Sequence, residues 1–210
     1  MHAVNWLIDT YMASAGDIVL IPVGPLTNIA MAIKKEPRIL SKIPRMIIMG
    51  GNHEVPNYTM SAEYNFWCDP EAARIVLECG VPITLVTLDA THDALITLDD
   101  CKRFRGLGTK VGETAAHLIE QRIEGYRKFQ PMDDPNAAPV HDALCTAALL
   151  DPSVIHTVRC YATVNDRGGI DDGRSVCDLG NRNKKEPNAD VALKADVRKF
   201  VDILADAFKA

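Results

Sequence analysis

Two groups of residues in this 210-residue chain are of types that could carry chemistry. The first is His141-Asp142, an imidazole and a carboxylate side by side in a run, Ala137 to Leu150, that is otherwise mostly small and apolar. Burying either group unpaired costs several kcal/mol, so each needs a partner, a metal or a task. The second is Asn57, Glu63 and Asn65, in the polar loop that follows Met46-Ile47-Ile48-Met49-Gly50-Gly51. A carboxylate flanked by oriented amides can hold hydroxyl groups or stabilise a developing positive charge, and a histidine can move a proton. Plainer readings stand beside these: Asp142 capping a first helical turn with His141 bonded to a carbonyl, and loop residues that are polar because loops are. Asp89, with Thr91-His92-Asp93, is a weaker candidate. Tyr58, Tyr126 and Phe129 could stack on a flat ligand, although an aromatic at helical spacing is more often core. Asp99-Asp100 and Asp171-Asp172 read as caps and turns.

The elements that must position these groups alternate. Ala3 to Ser14 has apolar residues at helical spacing and Gly16 stops it. Asp17 to Val23 is a continuous apolar run of the kind buried in parallel sheets, and Leu26 to Lys35 reads as a helix ended by Pro37. Met46 to Met49 is a strand, Pro70 to Cys79 a helix capped by Asp69, and Ile83 to Leu88 a third apolar run. Strand and helix in turn imply a parallel sheet with right-handed crossovers, so the fold class is α/β, a mostly parallel sheet flanked by helices. A buried strand that ends in a Gly-Gly turn and a polar loop usually places ligand groups at the carboxyl edge of such a sheet.

Beyond Leu88, helices are predicted from Thr97 or Asp99, over Gly112 to Phe129 and over Ala137 to Leu150. Strands follow at Arg159 to Asn165, Ser175 to Leu179 and Asp190 to Lys194, then a terminal helix, Val197 to Lys209, capped by Asp196.

Composition narrows the function classes. With 47% hydrophobic and 24% charged residues the chain is in the globular range, and one domain over 1–210 is the default. A net charge of −5 argues against a nucleic-acid or anionic-membrane binder, which needs a concentrated basic face. The six cysteines form no C-x-x-C pair and no zinc-type spacing, so they read as reduced, mostly buried thiols. No signal-peptide pattern and no apolar run of membrane-spanning length is present, which makes the cytoplasm the expected location.

Four stretches together carry a resemblance. Pro22-Val23-Gly24-Pro25-Leu26-Thr27-Asn28-Ile29-Ala30, then Met49-Gly50-Gly51, then Ala62-Glu63-Tyr64-Asn65 with Asp69-Pro70-Glu71-Ala72-Ala73, then Val140-His141-Asp142 resemble, in order and spacing, the nucleoside hydrolase family. The resemblance implies a calcium-dependent enzyme that splits the N-glycosidic bond of ribonucleosides into base and ribose, in purine and pyrimidine salvage, working as a homo-oligomer. It implies that Met49, Asn57, Glu63 and Asn65 hold the ribose hydroxyls and that His141 assists departure of the base. Asp142 and the carbonyl of Val23 fall on calcium ligands. The family usually has threonine at position 23, and valine serves as well if only the carbonyl is used.

The family's aspartate cluster, D-x-D-x-x-x-D-D, which supplies the base for the water and most calcium carboxylates, has no counterpart in these residues. The expectation is therefore a nucleoside hydrolase-like domain lacking its N-terminal strands, with an incomplete calcium site and no hydrolysis by the chain alone. A non-catalytic ribose-binding remnant and a structural subunit completing a partner chain are the alternatives.

Overall fold

The computed structural model describes residues 1–209. In chain order the elements are α1 (Ala3–Ala13), α2 (Thr27–Lys35), β1 (Met46–Met49), α3 (Tyr64–Cys68), α4 (Pro70–Leu77), β2 (Ile83–Val86), α5 (Leu88–Asp93), β3 (Leu95–Thr97), α6 (Leu98–Arg105) and α7 (Lys110–Phe129). They continue as β4 (Ala137–Pro139), α8 (His141–Leu150), β5 (Ile155–Val164), β6 (Ser175–Asp178), β7 (Ala189–Ala195) and α9 (Val197–Ala207), with short 3-10 turns at Pro37–Lys42 and Pro152–Val154. The chain divides into two compact units. The first comprises Met1–Asp89 with Thr157–Leu193, and the second Ala90–His156 with the chain from Lys194 onward.

The first unit is built on a five-stranded sheet in the order β1-β2-β7-β5-β6. β1 pairs parallel to β2, Met46 opposite Ile83 and Met49 opposite Val86, and β2 pairs parallel to β7. β6 runs antiparallel to β5, which makes the sheet mixed at that edge. All four β1 side chains are buried, and Met46 and Ile48 pack with Phe66, Val76, Leu77, Ile83, Leu85 and Val191 in one core. Continuous apolar strands of this kind are what a sheet covered on both faces requires.

The run Asp17 to Val23 is corrected here. It is not a buried strand but an outer edge: Leu20 alone bridges to Met46, and Ile18 and Val23 are 39% and 42% exposed. Its carbonyls serve β1, Leu20 accepting from Ile47 N–H and Pro22 from Met49 N–H, each at 2.9 Å. Pro22 has no N–H to offer, which prevents a full ladder from continuing. The α4 prediction stands apart from its end: Asp69 accepts from Ala72 N–H at 3.0 Å, Pro70 opens the helix, and regular structure stops at Leu77 rather than Cys79.

In the second unit α6 packs on α7, and α9 packs on α8, α6 and β3, around buried Ile96, Phe104, Ile123, Leu144, Val154 and Phe200. Thr97 forms a capping box with Asp100, Thr109 caps α7, which starts at Lys110, two residues before the predicted Gly112, and Asp196 caps α9. The predicted helix Ala137 to Leu150 is two elements. Ala137–Pro139 is a strand antiparallel to β3, and the helix begins only at His141. Pro139 explains the break, since the residue before a proline avoids the helical region. Among the described residues no helix is long and apolar enough to cross a membrane. All six cysteines are free thiols: Cys101, Cys145 and Cys160 are buried, and Cys68 is exposed.

Candidate active site

In the first unit the loop after β1 is tied down residue by residue. Gly50 N–H donates to Val86 O and Leu88 N–H to Gly51 O, so the Gly-Gly pair extends the parallel register by two residues. Gly51 sits at φ +67°, a conformation that only glycine adopts without cost. A side chain on Gly50 would meet the ring of buried Phe66 at 2.6 Å, so glycine is also what lets the loop lie against the core.

Glu63, only 2% exposed, is the N-cap of α3. Its Oε1 accepts from Asn65 N–H at 2.8 Å, while Oε2 accepts from Gly51 N–H at 2.9 Å and Phe66 N–H at 3.1 Å. A buried carboxylate is tolerable on such terms, because backbone donors replace the water it has lost. Asn65 donates through Nδ2 to the carbonyl of Met49 at 3.2 Å and to its sulfur at 3.4 Å. Asn57 Oδ1 accepts from Tyr64 N–H at 3.0 Å. Thus Met49, Glu63 and Asn65 form one bonded cluster at the carboxyl end of β1, and Asn57 joins it through the first residue of α3. Beside them Tyr58 packs on Tyr64 and Trp67, with ring centroids 5.2 and 4.1 Å apart. Asp89, read as a local turn residue or a site residue, instead accepts from the N–H groups of His53 and Glu54, at 2.6 and 2.9 Å, and so braces the far side of the same loop.

The second unit carries His141-Asp142 on the first turn of α8. The plain reading of a carbonyl-bonded histidine is not what is found. His141 Nε2 lies 2.9 Å from the Tyr126 hydroxyl and Nδ1 lies 2.7 Å from the Thr91 hydroxyl. Arg122 donates to the carbonyl of Pro139 at 2.5 Å and lies over the Tyr126 ring, 5.1 Å from its centroid. Burial pulls the His141 imidazole down to about 3, with Arg122 and His92 adding to the effect. Asp142 makes no capping bond and is exposed, yet its packed surroundings raise its carboxyl above the usual range, partly offset by Arg122.

Residues 1–202 match the sequence profile described as inosine-uridine preferring nucleoside hydrolase. The chain belongs to this nucleoside hydrolase family. It is 38% identical over 208 residues to a pyrimidine-specific ribonucleoside hydrolase, RihB, of Shigella flexneri serotype 5b (strain 8401), covering 99% of this chain and 66% of that protein. Among solved structures it is similar to a purine-preferring ribonucleoside hydrolase from Gardnerella vaginalis, with a TM-score of 0.86 and 31% identity. A plant nucleoside hydrolase, PpNRh1, gives a TM-score of 0.91 at 27% identity, and both matches cover 100% of this chain and 67% of the other. The chain thus spans just under two thirds, 66%, of the curated relative's length.

Membership in the family raises the question of calcium, which prefers six to eight oxygen ligands. Asp142 offers one carboxylate and Val23 one carbonyl, and among the described residues no group of three or more His, Cys, Asp or Glu could hold a metal. These residues do not fit a calcium site by themselves, and no chemical step is derived through one. Thr91, Tyr126, Asn52 and Ser175, which touch the candidate residues or their loop, were not assigned to these positions by the sequence. Two of them had a signal, Thr91 in the weaker candidate stretch that begins at Asp89 and Tyr126 as an aromatic on α7.

Proposed function

We propose that this chain provides the sugar-holding and leaving-group parts of a ribonucleoside hydrolase, which cleaves the N-glycosidic bond to give free base and ribose. The observation that carries this reading is the bonded cluster of Met49, Glu63 and Asn65, with Asn57 beside it, in a member of this family. Loss of a base builds positive charge on the ribose ring, as in glycoside hydrolysis, and a fixed carboxylate with amide oxygens around the sugar stabilises that charge. Because backbone amides already orient Glu63, little reorganisation is needed when the sugar arrives. In the second unit His141 helps the base to leave. Both of its ring nitrogens meet hydroxyls, so the neutral ring relays a proton towards the base, taking one from a hydroxyl at one nitrogen as it gives one up at the other.

The same reading takes a ribonucleoside as the only substrate class, with salvage of purines or pyrimidines in the cytoplasm as its setting and a homo-oligomer as its working form. D-ribose titrated calorimetrically into the purified chain tests it. Binding that weakens at least tenfold in Asn65→Ala supports the sugar-holding role, and no binding by the unaltered chain overturns it.

A second reading, a ribose-binding protein without hydrolysis, is favoured by one observation: among the described residues no group of three or more His, Cys, Asp or Glu could hold a metal. Release of ribose from inosine or uridine by a form of the enzyme that also carries the aspartate cluster separates the two.

A further inference from the structure

Ser175 opens β6, far along the chain from the loop after β1, and it is 2% exposed. Its hydroxyl accepts from Asn52 N–H at 2.7 Å and donates to Asn52 C=O at 2.5 Å, gripping both backbone polar groups of one residue 123 positions away. The grip is close: a side chain on Gly51 would meet the Ser175 hydroxyl at 2.8 Å. Gly51, the residue just before the one held, is the residue whose N–H donates to Glu63. On its other side Asn52 donates through Nδ2 to Ser61 O at 3.1 Å, tying the grip to the segment that leads into Glu63.

Three routes therefore hold the turn: the β2 ladder through Gly50 and Gly51, the Asp89 carboxylate through His53 and Glu54, and Ser175 through Asn52. The Gly51–Asn52 peptide is held at both ends, its N–H by Ser175 and its C=O by Leu88 N–H, and Ser175 also holds the following peptide through Asn52 C=O, so one side chain ties together the two peptides that flank Asn52. A glycine at positive φ has the freedom to rotate the Gly51–Asn52 peptide, so something must remove that freedom. A hydroxyl that donates and accepts at once does so with a single side chain.

We propose that Ser175 is a positioning residue for the sugar site: it sets the orientation of the Gly51–Asn52 turn so that Gly51 N–H points at Glu63 and holds that carboxylate in place for the ribose. The sugar half of this statement rests on the function proposed above.

The test compares the full chain with Ser175→Ala by amide hydrogen exchange and by D-ribose titration, at a temperature where circular dichroism shows both folded. The expected result is that protection of the Gly51 amide falls about tenfold relative to the Ile47 amide in β1, the equivalent of losing ~1.4 kcal/mol of local order. D-ribose affinity falls by about the same factor. Faster exchange at Asn52 alone, with Gly51 protection and ribose affinity unchanged, overturns the proposal, as does a uniform loss across β1. If the unaltered chain takes no ribose, the functional reading has failed, and the Gly51 amide still decides the role of Ser175. Should Ser175→Ala fail to fold, Ser175→Cys, close in size but a weaker hydrogen-bonding group, supports the same comparison.

Discussion

The hydroxyl of Tyr126 lies 2.9 Å from Nε2 of His141, while the hydroxyl of Thr91 lies 2.7 Å from the other ring nitrogen. A histidine held at both nitrogens has a fixed ring plane, and a neutral imidazole so held donates at one side and accepts at the other. Family membership assigns such a histidine no partners; the fold does.

In a form of the enzyme that turns over, Tyr126→Phe is expected to lower kcat by about 10²-fold, the lower end of what acid–base help contributes. D-ribose affinity should stay as it was, because the Tyr126 hydroxyl is engaged with Arg122 and His141. Steady-state rates on uridine, set beside the ribose titration, decide the matter. Equal losses in both would make Tyr126 a packing residue.

Glu63→Gln keeps the shape of the side chain but replaces a two-oxygen acceptor by one oxygen and an amide NH₂ donor. Three backbone N–H groups address those oxygens. At least one is left facing a donor, which costs about 1–3 kcal/mol of stability. Urea unfolding measures that loss, and ribose affinity should fall with it. A variant as stable as the parent would show that the carboxylate is not the cap described.

Gly50→Ala places a methyl group 2.6 Å from Phe66 Cε1, inside contact distance of a side chain that is fully buried. Overpacking of this kind costs about 1–3 kcal/mol. The expected outcome is a lower urea midpoint with an unchanged slope, and no change in midpoint would mean that Phe66 has room to move.

Calcium should bind the purified chain no more tightly than about 10⁻³ M, the weak end for sites poor in charged ligands. The reason is the single carboxylate and single carbonyl assigned to it. No calcium-dependent release of ribose from inosine or uridine is expected from the chain alone. Micromolar binding by calorimetry, or ribose release at ordinary enzyme turnover, would contradict this.

The thiols should differ in reactivity. Burial pushes the Cys101 thiol up to about 11 and that of Cys145 higher still, with the Asp142 charge adding to the second. A raised thiol pKa means less thiolate at pH 8, and the thiolate is the nucleophile. Exposed Cys68 is thus expected to alkylate first with iodoacetamide, and Cys101 and Cys145 only after unfolding or well above pH 9. Mass spectrometry of peptides sampled over time reads the order directly.

Much of this was open to view in the sequence. The alternation of strand and helix, the caps at Asp69, Thr97 and Asp196, and the Gly-Gly turn are written in residues a few positions apart, because capping, turn conformation and amphipathic spacing act over that range. Four stretches between Pro22 and Asp142 together sufficed to point to a family, and that resemblance singled out Met49, Asn57, Glu63 and Asn65 within one loop. Tertiary structure alone decided that Asp17 to Val23 is an edge, that Ala138 and its neighbours pair with β3, and that His141 bonds to Thr91 and Tyr126. It also decided that the hydroxyl of Ser175 reaches across 123 positions to Asn52. Such pairings depend on which strands and helices pack together and in what register, and nothing in the residues near either partner encodes that.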